Sequence, residues 1–309
     1  MKTINPYTDS IRLENDDLRL AVAPHLGASV LSFDRIDGDG DVEIFRRSPD
    51  SIENAVECAM PVMLPWVNRI SSGGIIVGDE MHSLEPNIPG EPFPNHGNGF
   101  QSKWNVLKRS PTSTTLELHS SGPGPYIYEA QYDLRLDDMS VHARIELVNR
   151  STKILPFGIG LHPWLPRTPR TTLEAYARDV WLEDERYIPT RSIALDDAPE
   201  FDFRLGSCLP EGWINNSFVG WKGVAEIVWP ERQLRLSISS PDATCYHVFS
   251  PGRHAGFFCF ETETHIPDAA RLLQAGTAGA PKWLQPGESI VHEARFKVAN
   301  WSGAKPLRT

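Results

Sequence analysis

Alternation restricts this chain more than any other feature. Apolar side chains recur at every second position in Leu18-Leu20-Val22, in Tyr128-Ala130-Tyr132-Leu134-Leu136, in Val141-Ala143-Ile145-Leu147 and in Leu234-Leu236-Ile238. Successive side chains of a strand point to opposite faces, so a period of two puts the apolar groups of each run on one buried face. Between the runs lie clusters rich in Gly, Pro, Asn and Asp, among them Asp37-Gly38-Asp39-Gly40, Gly122-Pro123-Gly124-Pro125 and Gly252-Arg253. Such residues supply the backbone angles of turns, and short turns between alternating strands imply antiparallel sheets. Long helical periodicity is nearly absent. The best helix start is Pro267-Asp268 ahead of Ala269-Ala270-Arg271-Leu272-Leu273.

The expected fold is therefore all-β, with few short helices. No charged block, low-complexity linker or repeat of solenoid length divides the 309 residues, so residues 1–309 are expected to form one large β-sandwich domain. With 40% hydrophobic residues the chain can bury a sizeable core, and its net charge of −10 works against a nucleic-acid partner. A small, largely uncharged ligand fits better. Cys58, Cys208, Cys245 and Cys259 are scattered without a C-x-x-C pair, which speaks against a zinc ribbon or a redox dithiol and fits a reducing compartment. The first ten residues lack the apolar run of a signal peptide, and no stretch approaches the ~20 apolar residues of a spanning helix. A cytoplasmic protein with no membrane association is expected, and the Asn-x-Ser triplets at Asn149, Asn215 and Asn300 are read as chance.

Four polar clusters sit among Gly, Pro and aromatic residues. In Leu64-Pro65-Trp66-Val67-Asn68-Arg69-Ile70 an amide and a guanidinium follow a tryptophan, and can donate hydrogen bonds to hydroxyls beside an apolar ring. Pro94-Asn95-His96-Gly97-Asn98-Gly99-Phe100 is a glycine-rich loop holding one histidine. In Gly158-Ile159-Gly160-Leu161-His162-Pro163-Trp164 the proline ends a strand just after the imidazole. The last cluster, Ala255-Gly256-Phe257-Phe258-Cys259-Phe260-Glu261-Thr262-Glu263, delivers two carboxylates from an apolar run. Partial burial strengthens a carboxylate as a base, and residue chemistry alone leaves Glu261 and Glu263 equal. No metal-site histidine spacing, phosphate-binding glycine loop or serine-nucleophile elbow is present, so neither metal nor cofactor is expected.

Taken in order, Asn68-Arg69-Ile70, His96-Gly97, Gly160-Leu161-His162-Pro163-Trp164 and Cys259-Phe260-Glu261 followed by Pro267-Asp268-Ala269 resemble the aldose 1-epimerase (galactose mutarotase) family. The resemblance extends over most of the chain. It implies a large antiparallel β-supersandwich with a sugar-binding cleft, His162 as general acid and Glu261 as general base, which chooses Glu261 over Glu263. It further implies that Asn68, Arg69 and His96 hold sugar hydroxyls, with Trp66 and Trp164 as ring-stacking walls. One departure stands out. The family's sugar-binding aspartate would fall in Trp213-Ile214-Asn215-Asn216-Ser217-Phe218, where this chain has Asn215. The implied reaction interconverts the anomers of a free aldose. The alternatives are a hexose-6-phosphate epimerase, a sugar-binding or sensing protein without turnover, and a glycoside hydrolase, which would want two opposed carboxylates.

Overall fold

The computed structural model describes residues 3–38 and 40–303; Asp39, in the predicted turn at 37–40, lies outside the described residues. The four alternating runs form the strands Leu18–Ala23, Ile127–Asp137, Ser140–Asn149 and Leu234–Ser239. In Ile127–Asp137 every second residue from Tyr128 to Leu136 is buried and the intervening ones are not. The two glycine-containing clusters that are fully described connect neighbouring strands: Gly122–Pro125 joins Ser113–Ser121 to Ile127–Asp137, and Gly252-Arg253 joins Cys245–Ser250 to Phe257–Glu263.

Two large sheets dominate. A nine-stranded sheet runs from Ser207–Cys208 at one edge to Asn105–Arg109 at the other, with Ser289–Asn300 and Ser140–Asn149 near its centre. An eight-stranded sheet runs from Pro189–Ala194 through Asp179–Glu183, Ile214–Val219, Cys245–Ser250 and Phe257–Glu263 to Gly160–Leu161 and Val62–Met63, with Trp164–Pro166 also pairing Phe257–Glu263. Every pairing in both is antiparallel. A four-stranded sheet from Ile11–Glu14 to Val42–Phe45 packs alongside. The architecture is an all-β antiparallel supersandwich.

One hydrophobic cluster takes side chains from all three sheets: Leu20 and Phe33, Ile145 and Phe296, and Phe218, Tyr246 and Phe260. The ring of Phe45 meets Phe33 and Phe296 edge-on at 5.1 and 5.2 Å, while Tyr246 lies stacked between Phe218 and Phe260 at 4.7 and 4.8 Å. Burying each such side chain contributes about 1.5–3 kcal/mol. Among the described residues the α-helix is one turn, Ala269–Leu272. Its preceding Asp268 does not cap it. The residue is left-handed (φ 56°), and its carboxylate accepts from the Ser71 N–H and Oγ and from Arg271 Nε. No helix among the described residues is long and apolar enough to cross a membrane.

Candidate active site

Phe258 and Phe260 point into the core, so strand parity turns Cys259, Glu261 and Glu263 to the other face of the eight-stranded sheet. On that face Glu261 lies opposite His247, which lies opposite Ser217; one pair further along, Cys259 opposes Phe249 and Phe249 opposes Asn215. Neighbours in register share a face, so residues distant in sequence are assembled in rows. Sequence reasoning places Glu261 at a strand end. The strand instead continues to Glu263, and the two carboxyls are 1% and 0% exposed.

His162 is delivered by a break. Gly160–Leu161 pairs with Phe257–Glu263, the chain is interrupted at Pro163, and Trp164–Pro166 rejoins the same strand. The imidazole is thereby set beside the carboxyl, with His162 Nε2 at 3.4 Å from Glu261 Oε1. At position 160 a Cβ would lie 2.5 Å from Met63 Cε and 2.9 Å from Val67 Cγ1, so glycine lets these side chains pack there without shifting. Trp164 stacks on the His162 ring, with centroids 5.8 Å apart and planes 15° from parallel, and the Arg46 guanidinium covers Trp164 at 4.1 Å.

Two loops supply the facing wall. Asn68 and His96 both adopt left-handed φ values, 54° and 58°, which few non-glycine residues do. They hold each other there: the His96 N–H donates to the Asn68 carbonyl, and the Asn68 N–H donates to His96 Nδ1 at 3.2 Å. A backbone N–H can only donate, so Nδ1 is unprotonated and the neutral ring carries its proton on Nε2. The Arg69 guanidinium is fixed by two hydrogen bonds to Glu91, at 2.8 and 2.9 Å, and a third to Asn68 Oδ1 at 3.2 Å. His96 and His162 meet edge to face at 5.3 Å.

The cavity between these walls, about 190 Å³, is lined by Asn68, Arg69, His96, His162, Trp164, Asn215 and Glu261. Trp66, expected as a stacking wall, is elsewhere. It is 3% exposed, packs on Tyr126 at 5.6 Å and lines a separate cavity of about 150 Å³. The indole of Trp66 packs in the core, while the guanidinium of Arg69, three residues on and past the left-handed Asn68, lines the cleft. That second cavity carries less usable chemistry: His265 Nε2 accepts from the Val67 N–H, its Nδ1 faces the Ile266 carbonyl, and Asp268 is held by Ser71 and Arg271. Buried polar atoms with no hydrogen-bond partner within the described protein are Trp66 Nε1 in that cavity and Asn95 Oδ1, His162 Nδ1, Trp164 Nε1 and Glu261 Oε2 in the larger one. Such atoms are rare in folded proteins.

Burial decides the protonation of the central pair. It depresses His162 to about 4, with Arg46 and Arg69 lowering it further, and raises Glu261 to about 8 against the pull of Arg69. Burial, with the neighbouring Glu261 carboxyl adding to it, holds Glu263 well above the carboxylate range. At neutral pH His162 is uncharged and Glu261 keeps its proton, so their contact joins a carboxylic acid to an imidazole. The pair then holds one proton, on the carboxyl. His162, Cys259 and Glu261 also bring three ligand atoms within 4.8 Å of one another. Burial pushes the Cys259 thiol up as well, leaving protons on two of the atoms a metal would need bare.

Three side chains here went unnoticed in the sequence reading. Glu91 fixes Arg69, as described. Glu183 accepts from Trp213 Nε1 at 2.9 Å and from Asn215 Nδ2, and its carboxyl is raised by burial, a shift opposed by those hydrogen bonds and by Arg69. His247 is buried, with Nε2 at 3.0 Å from Asn215 Oδ1 and Nδ1 at 2.8 Å from Ser217 Oγ. With the Asn215 amide oriented so that Nδ2 donates to Glu183, its Oδ1 can only accept, and the His247 proton is then on Nε2. A lone histidine within Cys245-Tyr246-His247-Val248-Phe249 is a signal that could have been used. Glu183 gives none, because it follows a bulge between Leu182 and Glu183.

Residues 9–297 match the family model described as aldose 1-epimerase. The chain is 31% identical over 245 residues to the uncharacterized protein YphB of Escherichia coli K12, covering 76% of this chain and 82% of that one. Among solved structures it resembles an aldose 1-epimerase candidate from Escherichia coli K12, with a TM-score of 0.86, 26% identity, and 97% and 100% of the two chains covered. A galactose 1-epimerase from Lactobacillus acidophilus shares the fold, with a TM-score of 0.73 at 17% identity over 95% of each chain. With the match running from the first strands to the last, the chain belongs to the aldose 1-epimerase family.

Proposed function

We propose that this protein interconverts the α and β anomers of a free, uncharged aldose by acid–base ring opening. The observation that carries the reading is the 3.4 Å approach of His162 Nε2 to Glu261 Oε1 in a cleft lined by Asn68, Arg69 and His96. Opening the ring removes the proton from the C1 hydroxyl and delivers one to the ring oxygen as the bond from C1 to that oxygen breaks and the aldehyde forms. C1 then rotates, and closure from the other face reverses both transfers.

The His162–Glu261 pair holds one proton, the inventory this cycle needs. In the ligand-free cleft burial keeps that proton on Glu261. Passing it to His162 across their contact gives a carboxylate base and an imidazolium acid. The charge of Arg69 favours the carboxylate that results and opposes the imidazolium. Positioned acid–base catalysis of this kind contributes ~100- to 10,000-fold. His96 offers its Nε2–H, and Asn68 and Arg69 their N–H groups, to sugar hydroxyls or to charge developing on oxygen; Trp164 is the stacking wall.

Glu91 occupies the Nε–Nη2 edge of Arg69 and offsets its charge, which works against a phosphate clamp and hence against a sugar-phosphate substrate. The test is the optical-rotation relaxation of freshly dissolved α-anomers with and without protein. Acceleration for a neutral aldose and none for its 6-phosphate is expected. A folded protein that accelerates no sugar would overturn the reading, and calorimetric sugar binding in that protein would make it a binding or sensing module.

A further inference from the structure

Glu183 is an ionisable group bonded to Asn215 of the cleft wall, with no part in the proton cycle. It sits on Asp179–Glu183, beside the strand carrying Asn215, at a register shift between Leu182 and Glu183. Asn215 lines the cavity, yet it is engaged on both sides: Nδ2 donates to Glu183 and Oδ1 accepts from His247. Glu183 accepts one hydrogen bond at each oxygen, from Trp213 Nε1 and from Asn215 Nδ2. Each carboxylate oxygen has two lone-pair sites, so each keeps capacity for one more donor. The charge of Arg69 is felt at Glu183, while its guanidinium is balanced by Glu91. Arg69 is paired to Glu91 and Arg46 lies behind the Trp164 ring, so an ionised Glu183 adds negative charge beside Asn215 with no unpaired cation at its side.

We propose that Glu183 is a hydroxyl-binding residue of the cleft, tethered by Asn215 and Trp213, and that it makes the cleft selective for uncharged aldoses over uronic acids. The proposal rests on the aldose 1-epimerase reading above. Asn215 then serves as a positioning residue, and the charge-assisted acceptor comes from the neighbouring strand.

The test compares the wild-type protein, Glu183→Gln and Trp213→Phe on D-galactose and D-glucose and on their uronic acids, by anomer exchange and by calorimetric Kd. Glu183→Gln should raise KM and Kd for the neutral sugars about tenfold, as expected for loss of charge assistance in one buried hydrogen bond, while kcat falls by less than about threefold. The ratio of uronate to neutral-sugar kcat/KM should rise. Trp213→Phe, which loosens Glu183 without removing it, should move KM and Kd in the same direction by less, and it decides the matter if Glu183→Gln does not fold. Wild-type KM and Kd in a folded Glu183→Gln, or an unchanged uronate ratio, overturns the proposal. Wild-type binding without anomer exchange sinks the catalytic reading instead, and the Kd values then judge Glu183 alone. A protein that neither binds nor turns over either neutral sugar overturns both.

Discussion

Replacing Glu261 with glutamine should make the protein more stable while removing its catalytic base. The ordinary carboxyl value is 4.5, and burial raises the folded-state value of Glu261 to about 8. Between those values the folded chain keeps a proton that the unfolded chain releases. The stability this contributes is fully present below pH 4.5 and is lost as pH rises through 8. At pH 7 the unfolded group has been favoured over 2.5 units (7 − 4.5), which at about 1.36 kcal/mol per unit amounts to about 3 kcal/mol. Glutamine has the same shape and has no proton to lose. At roughly 2–4 °C per kcal/mol for a domain somewhat smaller than this one, Glu261→Gln should raise Tm by roughly 5–10 °C at pH 7. Scanning calorimetry on both proteins at pH 7 and at pH 4.5 checks the argument, because the gain should vanish at the lower pH. An unchanged or lowered Tm at pH 7, or an equal gain at both values, would refute the claim that this carboxyl is buried with its proton.

Other outcomes follow from the same geometry. The anomer-exchange rate should fall as pH rises through about 8, where the pair loses its proton from Glu261, and fall again below about 4, where His162 takes up a second; polarimetry in buffers spanning that range would detect both limbs. Gly97→Ala should lower kcat/KM and destabilise the protein by at least about 1 kcal/mol in urea titrations, because alanine disfavours φ +67° and its Cβ would meet the Leu64 carbonyl at 2.1 Å. Glu91→Gln should leave Arg69 without its ion pair, weakening neutral-sugar binding and making glucose 6-phosphate a competitive inhibitor in the same exchange assay. Phe260→Ala, which removes a ring stacked on Tyr246, should cost about 3–5 kcal/mol in the same titrations.

The sheets were legible because exposure on one face forces alternation, as Tyr128 to Leu136 illustrate. The central pair was legible too, since Pro163 advertises a strand break beside His162 and the apolar run before Glu261 announces a buried strand. Residue chemistry did not separate Glu261 from Glu263; both face the same side and both are buried, and only Glu261 contacts His162. Trp66 was misplaced because closeness in sequence to Arg69 does not put two side chains on one side of the chain; the indole packs in the core against Tyr126. Glu183 and Glu91 escaped for a different reason. Their positions depend on cross-strand neighbours and a loop closing on Arg69, which short-range sequence patterns do not encode. Asn215 was read as a weaker aspartate, whereas the structure ties it to a carboxylate one strand away.

The most direct measurement is the rate of anomer exchange, by polarimetry on fresh α-aldoses, for the wild-type protein, Glu261→Gln and His162→Asn, each checked for folding and for sugar Kd. The expected result is clear acceleration by the wild type and a loss of at least about 100-fold in each variant with binding retained. Full activity in Glu261→Gln, or no acceleration of any sugar by the wild type, would contradict a cycle built on one proton shared between this imidazole and this carboxyl.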